Sequence, residues 1–362
     1  MQMNSRGYCF VSLYQSYPSY HGASDLTLNT FNCWPNKNKI LFQITKLNIK
    51  KKNIININHK PGFIGNIYNI FLITFKIKKY LKKYPKKFLI IEGASWIGYI
   101  FFLTILCNIF IKNLAIIYHA HNLEYEVRKL KNNSFISLLS FYIEKFIYQK
   151  YFSTCVSKKD YRFILKKYKT KSYLFENGIV DFKPKSIKKI KLKKKKFILF
   201  CGSYSYWPNK IAVDLIIKKK EIFEKIYPEI LFVFTGEGMP KFKYKNYMNL
   251  GIVKKNNLIW LYKNCLMFYS PLPKAPGTKM KIIEAIYYNS IVVCSKFSLI
   301  GLKKIDKIKT IHIQNQKNLL YLLKKIKISY NKNKISDLKI FRKHYDLKIN
   351  TVKLYEKINK II

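Results

Sequence analysis

Short apolar runs rich in β-formers alternate with longer stretches of helical period along most of the chain, which predicts parallel sheets built from βαβ units. In the first half the pattern predicts strands at Tyr8–Leu13, Ile40–Thr45, Phe88–Glu92, Leu114–His119, Ser153–Ser157 and Ser172–Phe175. Helices are predicted between them, notably at Gly65–Tyr84, Phe135–Phe152 and Lys158–Tyr168. The pattern breaks at Asp181–Lys196, where a proline and a dense lysine run offer no core face, so this stretch reads as an interdomain connection. It restarts with strands at Phe197–Cys201, Ile230–Thr235, Cys265–Ser270, Ile291–Ser295 and Thr310–Ile313. Helices alternate with these at Asn209–Ile226, Asn257–Asn264 and Thr278–Tyr288, and basic helices follow from Lys317. The expected architecture is α/β, with two doubly wound domains: residues 1–182, a basic linker 183–196, residues 197–335, and a C-terminal helical segment 336–362.

The apolar stretch Phe88–Ile117 could be taken for a membrane span, but Glu92, Asn108, Lys112 and Asn113 interrupt it and Gly93 and Gly98 punctuate its start. It divides better into a strand, a helix at Ser95–Ile111 and a second strand. With 362 residues and 49% hydrophobic residues, the chain has enough apolar side chains for two cores. Seven cysteines show no Cys-x-x-Cys pair and mostly sit in apolar runs, as buried reduced thiols do, and the first residues lack the pattern of a signal peptide. A cytoplasmic location is therefore expected.

Charge adds a further constraint. Lys plus Arg number 69 against 18 Asp plus Glu, a formal +51. Coding bias, attraction to nucleic acid and attraction to an anionic membrane all account for such a balance. No nucleic-acid fold signature accompanies the lysines, whereas aromatics and isoleucine do, so no specific nucleic-acid partner is expected and an anionic membrane surface is the favoured one. The helix at Phe135–Phe152, with its basic and aromatic side chains, is the element expected to meet lipid.

Ligands of open α/β sheets bind beyond the carboxyl ends of strands, where loops enter helix N-termini. Gly202 and Ser203 directly follow a strand, and Asn209 stands where it can cap the next helix. Further on, Gly277 and Thr278 open a helix, Lys279 and Lys281 supply charge suited to a pyrophosphate, and Glu284 lies on the face of Lys281, where a carboxylate can accept from ribose hydroxyls. In the first half, His119 and His121 close a strand beside Asn122, Glu124 and Arg128, a cluster able to stabilise charge near neutral pH. A metal site is not expected there, because no third and fourth ligand lie at metal spacing.

These pieces together resemble family 4 glycosyltransferases of the GT-B fold, especially the bacterial subgroup acting on cell-surface glycans. The resemblance rests on His121-Asn122-x-Glu124 with Arg128, Val156-Ser157 with Asp160, Asn177-Gly178-Ile179, Gly202-Ser203 through Asn209, Gly236-Glu237-Gly238, and Gly277-Thr278-Lys279-x-Lys281-x-x-Glu284-Ala285, spread from about Tyr8 to Leu302. It implies two Rossmann-like domains facing a central cleft. Gly277, Thr278, Lys279 and Lys281 would hold a donor diphosphate, Glu284 the ribose, and Gly202, Ser203 and Asn209 the facing wall. His121 would sit near the reacting sugar, with Gly22 in the N-terminal glycine loop. The chain departs from the family at Pro276, where many relatives carry a second glutamate, at Ala275 in place of glycine, and at Ile300 in place of an acid.

The implied activity is sugar transfer from a nucleotide-sugar co-substrate to a glycan or lipid-linked acceptor on the inner face of the cytoplasmic membrane. No Asp-x-Asp occurs, so neither metal nor other cofactor is expected, and the resemblance implies retention of configuration. A nucleotide-sugar epimerase on the same architecture and a basic nucleic-acid-binding protein are the competing readings.

Overall fold

The computed structural model describes residues 5–19, 22–130, 134–182, 190–192, 196–273, 277–303, 310–312 and 338–361. The lysine runs at 183–189 and 193–195, positions Ala275 and Pro276, and residues 313–337 lie outside them. The chain divides into one unit comprising Met1–Asn177 with Leu347–Ile362, and a second comprising Gly178–Asp346.

The first unit is built on parallel strands β1 (Arg6–Ser12), β2 (Lys39–Thr45), β3 (Ile54–Asn58), β4 (Lys86–Gly93), β5 (Leu114–Ala120), β6 (Phe152–Cys155) and β7 (Tyr173–Leu174), in the order β3-β2-β1-β4-β5-β6-β7. Its strands read as near-continuous apolar runs because helices cover both faces. Cys9, Val11, Ile44, Leu89 and Ile91 pack against α2 (Gly62–Leu81), α3 (Ile97–Phe110) and α5 (Ser134–Lys150). On the opposite face Tyr8 stacks on Phe88, and Phe10 meets Phe31 of α1 (Gly22–Cys33) edge-on. Two short helices, α4 (Glu124–Leu130) and α6 (Lys158–Phe163, continuing as a π turn through Tyr168), follow β5 and β6.

The stretch Phe88–Ile117 divides as its interruptions predict, into β4, α3 and the start of β5. Helix α3 has 14 residues, about 21 Å of rise. Among the described residues, no helix is long and apolar enough to cross a membrane.

The second unit holds parallel strands β8 (Lys196–Cys201), β9 (Ile230–Thr235), β10 (Tyr247–Asn249), β11 (Met267–Ser270), β12 (Val292–Cys294) and β13 (Thr310–His312), in the order β10-β9-β8-β11-β12-β13. Its helices are α7 (Trp207–Ile217), α8 (Lys220–Ile226), α9 (Lys255–Asn264), α10 (Met280–Tyr287) and α11 (Leu338–His344). The single helix predicted over Asn209–Ile226 is two, parted at Lys218 and Lys219, where three successive lysines interrupt the apolar stripe.

The C-terminal segment is not one piece. Helix α11 stays with the second unit, burying Phe341 and donating from Arg342 to the Tyr287 carbonyl, while α12 (Leu347–Ile361) returns to the first. Leu347, Thr351, Leu354 and Ile358 form its buried stripe at helical spacing. Tyr355 packs against Tyr8 and Trp34, and the Tyr8 hydroxyl donates to Asn359 Oδ1 at 2.7 Å.

Candidate functional site

In the second sheet the strand order reverses between β8 and β11, so the loops leaving these strands diverge and open a crevice at the carboxyl edge. Gly202 leaves β8 at φ +147°, and a Cβ there would lie 2.6 Å from Asn209 Nδ2. A Cβ on Gly236, at the end of β9, would lie 2.1 Å from the Gly202 carbonyl oxygen. The two loops therefore pack backbone to backbone, which only glycine allows.

Asn209 does not cap α7, which begins two residues earlier at Trp207. Its side chain instead joins two elements, donating from Nδ2 to the Ser203 carbonyl at 2.8 Å and accepting at Oδ1 from Lys281 Nζ at 2.7 Å. The Lys281 ammonium also donates to the Cys201 carbonyl at 3.0 Å and lies over the Phe200 ring. Burial lowers its pKa from 10.5 to about 8. An ammonium has three N–H donors. Two are used here, and the third has no partner among the described residues.

One turn along α10, Glu284 is ion-paired through Oε1 with Lys255 and accepts at Oε2 from the Tyr262 hydroxyl at 3.3 Å. Both partners come from α9. Lys255 is one basic residue among 69, so no sequence signal distinguishes it. A carboxylate accepts about four hydrogen bonds, which leaves capacity for sugar hydroxyls. Helix α10 starts at Met280, two residues later than the pattern predicts, so Gly277 (φ +72°) and Thr278 lie in its approach loop. Lys279, the N-cap residue, turns its ammonium back onto the Gly277 carbonyl. Thr278 Oγ1 and Ser270 Oγ are buried and unpartnered among the described residues.

The Gly202→Ala substitution tests this packing. Left-handed backbone strain and the clash with Asn209 are expected to cost about 1–3 kcal/mol of stability, and to weaken nucleoside diphosphate binding by displacing the partner of Lys281. Denaturant titration and calorimetry measure the two effects, and wild-type values in both would refute the account.

In the first sheet the order reverses between β1 and β4, and a second polar cluster lies at that edge. Glu92 on β4 pairs in register with His119 on β5. Its Oε2 faces His119 Nδ1 at 3.0 Å and His121 Nε2 at 2.7 Å, and accepts from the Thr27 hydroxyl of α1 at 3.0 Å. Burial opposes charge on Glu92, yet the two imidazoles outweigh it and hold the carboxyl at about 2. Burial lowers the His121 pKa, against the opposing pull of Glu92.

The third ligand that sequence spacing did not supply is therefore present. Glu92, His119 and His121 place one ligand atom each within 4.8 Å of one another and could hold a metal, although Oε2 is already committed to three hydrogen bonds. Glu92 lies 27 residues before His119, and only the strand register brings them together.

The other first-half candidates make no hydrogen bond to this cluster among the described residues. Glu124 opens α4 and pairs with Arg128 one turn on, while Asn122 Oδ1 is buried without a partner among the described residues. Buried Glu144 of α5 accepts from the Glu124 and Tyr125 backbone N–H groups, fixing the start of α4. Gly22 is the exposed first residue of α1, whereas Thr27, a turn later, reaches the cluster.

No protein-family model matches the chain, and no curated protein matches it in sequence. Among solved structures it is similar to sucrose-phosphate synthase from Thermosynechococcus elongatus, with a TM-score of 0.75 at 10% identity over 98% of this chain and 99% of that one. It is similar also to WaaG, a glycosyltransferase involved in lipopolysaccharide biosynthesis (TM-score 0.67, 14% identity, 97% and 99% covered). A third is Anabaena HepE in complex with UDP and glucose (TM-score 0.69, 10% identity, 99% and 100% covered). The shared architecture is the GT-B fold of two Rossmann-like domains.

Proposed function

We propose that the chain is a glycosyltransferase that moves a sugar from a nucleotide-sugar donor to a glycan or lipid-linked acceptor. The observation that carries this reading is the Lys281 ammonium, held at the reversal point of the second sheet by Asn209 and the Cys201 carbonyl with one donor unspent. Departure of the donor diphosphate breaks the bond from the anomeric carbon, and the electron pair passes to the diphosphate oxygen. Lys281 and the first N–H groups of α10 stabilise that charge, with no metal in the reaction. The acceptor hydroxyl oxygen bonds to the anomeric carbon and passes its proton to the departing diphosphate oxygen. Glu284 takes the ribose hydroxyls, and His121 the hydroxyls of the sugar. Retention of configuration belongs to the same reading, as does a cytoplasmic protein peripheral on the inner membrane face. Among the similar structures, HepE was solved with UDP and glucose, which supports a nucleotide-sugar donor.

A thermal-shift panel of nucleoside diphosphates and their sugars tests the reading, since a ligand of the native state raises the unfolding midpoint. One base is expected to stabilise selectively. Isomerised donor formed without any acceptor would indicate an epimerase instead, and a panel without any shift would remove the donor site.

A further inference from the structure

Helices α2, α3 and α5 lie side by side over one face of the first sheet, with α3 in the middle. Phe71 pairs with Phe102 and Phe75 with Phe110 between α2 and α3, and Phe101 meets Phe146 between α3 and α5. Their inward stripes form the core already described. The outward faces of surface helices are ordinarily polar, but these also expose large apolar side chains. Ile64 of α2 is 81% exposed, Ile109 of α3 67%, and Phe135 and Tyr142 of α5 77% and 61%. Phe75 and Phe146, whose rings lie at the two seams, are exposed as well. The apolar surface is therefore continuous across three helices, and surfaces of that kind mark interaction sites.

Apart from one buried acid, the charges on these helices have one sign. Lys76, Lys78 and Lys79 stand on α2 and Lys145 and Lys150 on α5, while α3 carries no charge. Their one acid, Glu144, is buried against α4. Lys78 and Lys150 place their ammonium groups over the rings of Phe110 and Phe146. A second copy of this face would set lysine against lysine with no exposed acid to offset it. A bilayer bearing anionic headgroups offers both required chemistries, negative charge at the surface and hydrocarbon beneath.

We propose that the α2–α3–α5 face docks on an anionic lipid bilayer, its rings and isoleucines entering the headgroup and acyl boundary and its lysines against the lipid phosphates. This deepens the membrane partner of the proposed function, but its observations are independent of the donor site.

The test is flotation of the full chain with phosphatidylcholine vesicles, with and without phosphatidylglycerol. A triple variant, Ile64→Ser, Ile109→Ser and Tyr142→Ser, keeps every charge and alters exposed positions only. Its fold is checked by circular dichroism, and its donor site by nucleotide thermal shift, which separates failure of this proposal from failure of the enzymatic reading. Wild type is expected to float with anionic vesicles, and the triple variant to bind roughly tenfold less. Equal binding by both proteins would mean adhesion by charge alone and overturn the docking face. So would negligible binding to either vesicle, or a dimer in sedimentation velocity that the triple variant abolishes.

Discussion

Replacing Lys281 with alanine is expected to lower sugar transfer by about a hundred- to a thousand-fold, the usual loss when a donor that stabilises developing negative charge is removed. The ammonium cannot swing away in the ligand-free protein, because Asn209 Oδ1 and the Cys201 carbonyl fix it and the Phe200 ring lies beneath. It is therefore already in place when charge develops. Burial holds its pKa at about 8, so diphosphate affinity is expected to fall as pH rises through that value and the ammonium becomes neutral. The alanine variant should show weak affinity without that dependence. Folding has the opposite sign. A lysine whose pKa is lower in the native state than in the unfolded chain weighs against the fold below about pH 8, and its cost disappears as pH rises towards 10.5. A Lys281→Met variant should consequently unfold no earlier than wild type near neutral pH while failing to bind nucleoside diphosphate. Calorimetry and thermal denaturation from pH 7 to pH 10 measure both; undiminished binding by either variant would exclude Lys281 from the donor site.

The sequence makes the strands legible where both of their faces are buried, because β1, β4, β5, β8 and β9 appear as runs of Ile, Leu, Phe and Val bounded by helical patterns. It hides β3 and β10, edge strands where Asn56 and Asn58, or Asn249, dilute the apolar signal. It also hides the return of α12 to the first unit, since a stripe at helical spacing does not say which core it covers. At the sites, Lys281, Glu284 and Asn209 could be picked out because they follow glycine turns at strand ends, and His121 because it closes a strand beside other polar side chains. Their partners could not. Lys255, Tyr262 and Glu92 each come from another element, and only tertiary contact distinguishes them from ordinary surface or strand residues. The Ser157 and Asp160 motif is explained locally, because Ser157 Oγ accepts from the Asp160 N–H and caps α6.

The Glu92→Ala substitution should have the largest effect on stability. It leaves the Thr27 hydroxyl, His119 Nδ1 and His121 Nε2 without their shared acceptor, in a site where all three residues are buried. Removing one member of such a buried network costs about 3–5 kcal/mol, which corresponds to roughly 10 °C in the midpoint of a unit of this size. Acid titration isolates the charge itself. The native carboxyl, at about 2, lies below its ordinary 4.5, so its contribution is complete above pH 4.5 and is lost as pH falls from there through 2. That interval is worth about 3 kcal/mol. In Glu92→Gln, which keeps the side-chain volume and cannot ionise, the acid-dependent loss between pH 4.5 and 2 should be correspondingly smaller, while the nucleotide-induced shift of the second unit persists. The stabilising role of the carboxylate is wrong if the wild type and the glutamine variant lose stability in parallel across that interval. If the glutamine variant folds and binds nucleotide but transfers sugar slowly, His121 acts in the reaction through the orientation that Glu92 imposes on it.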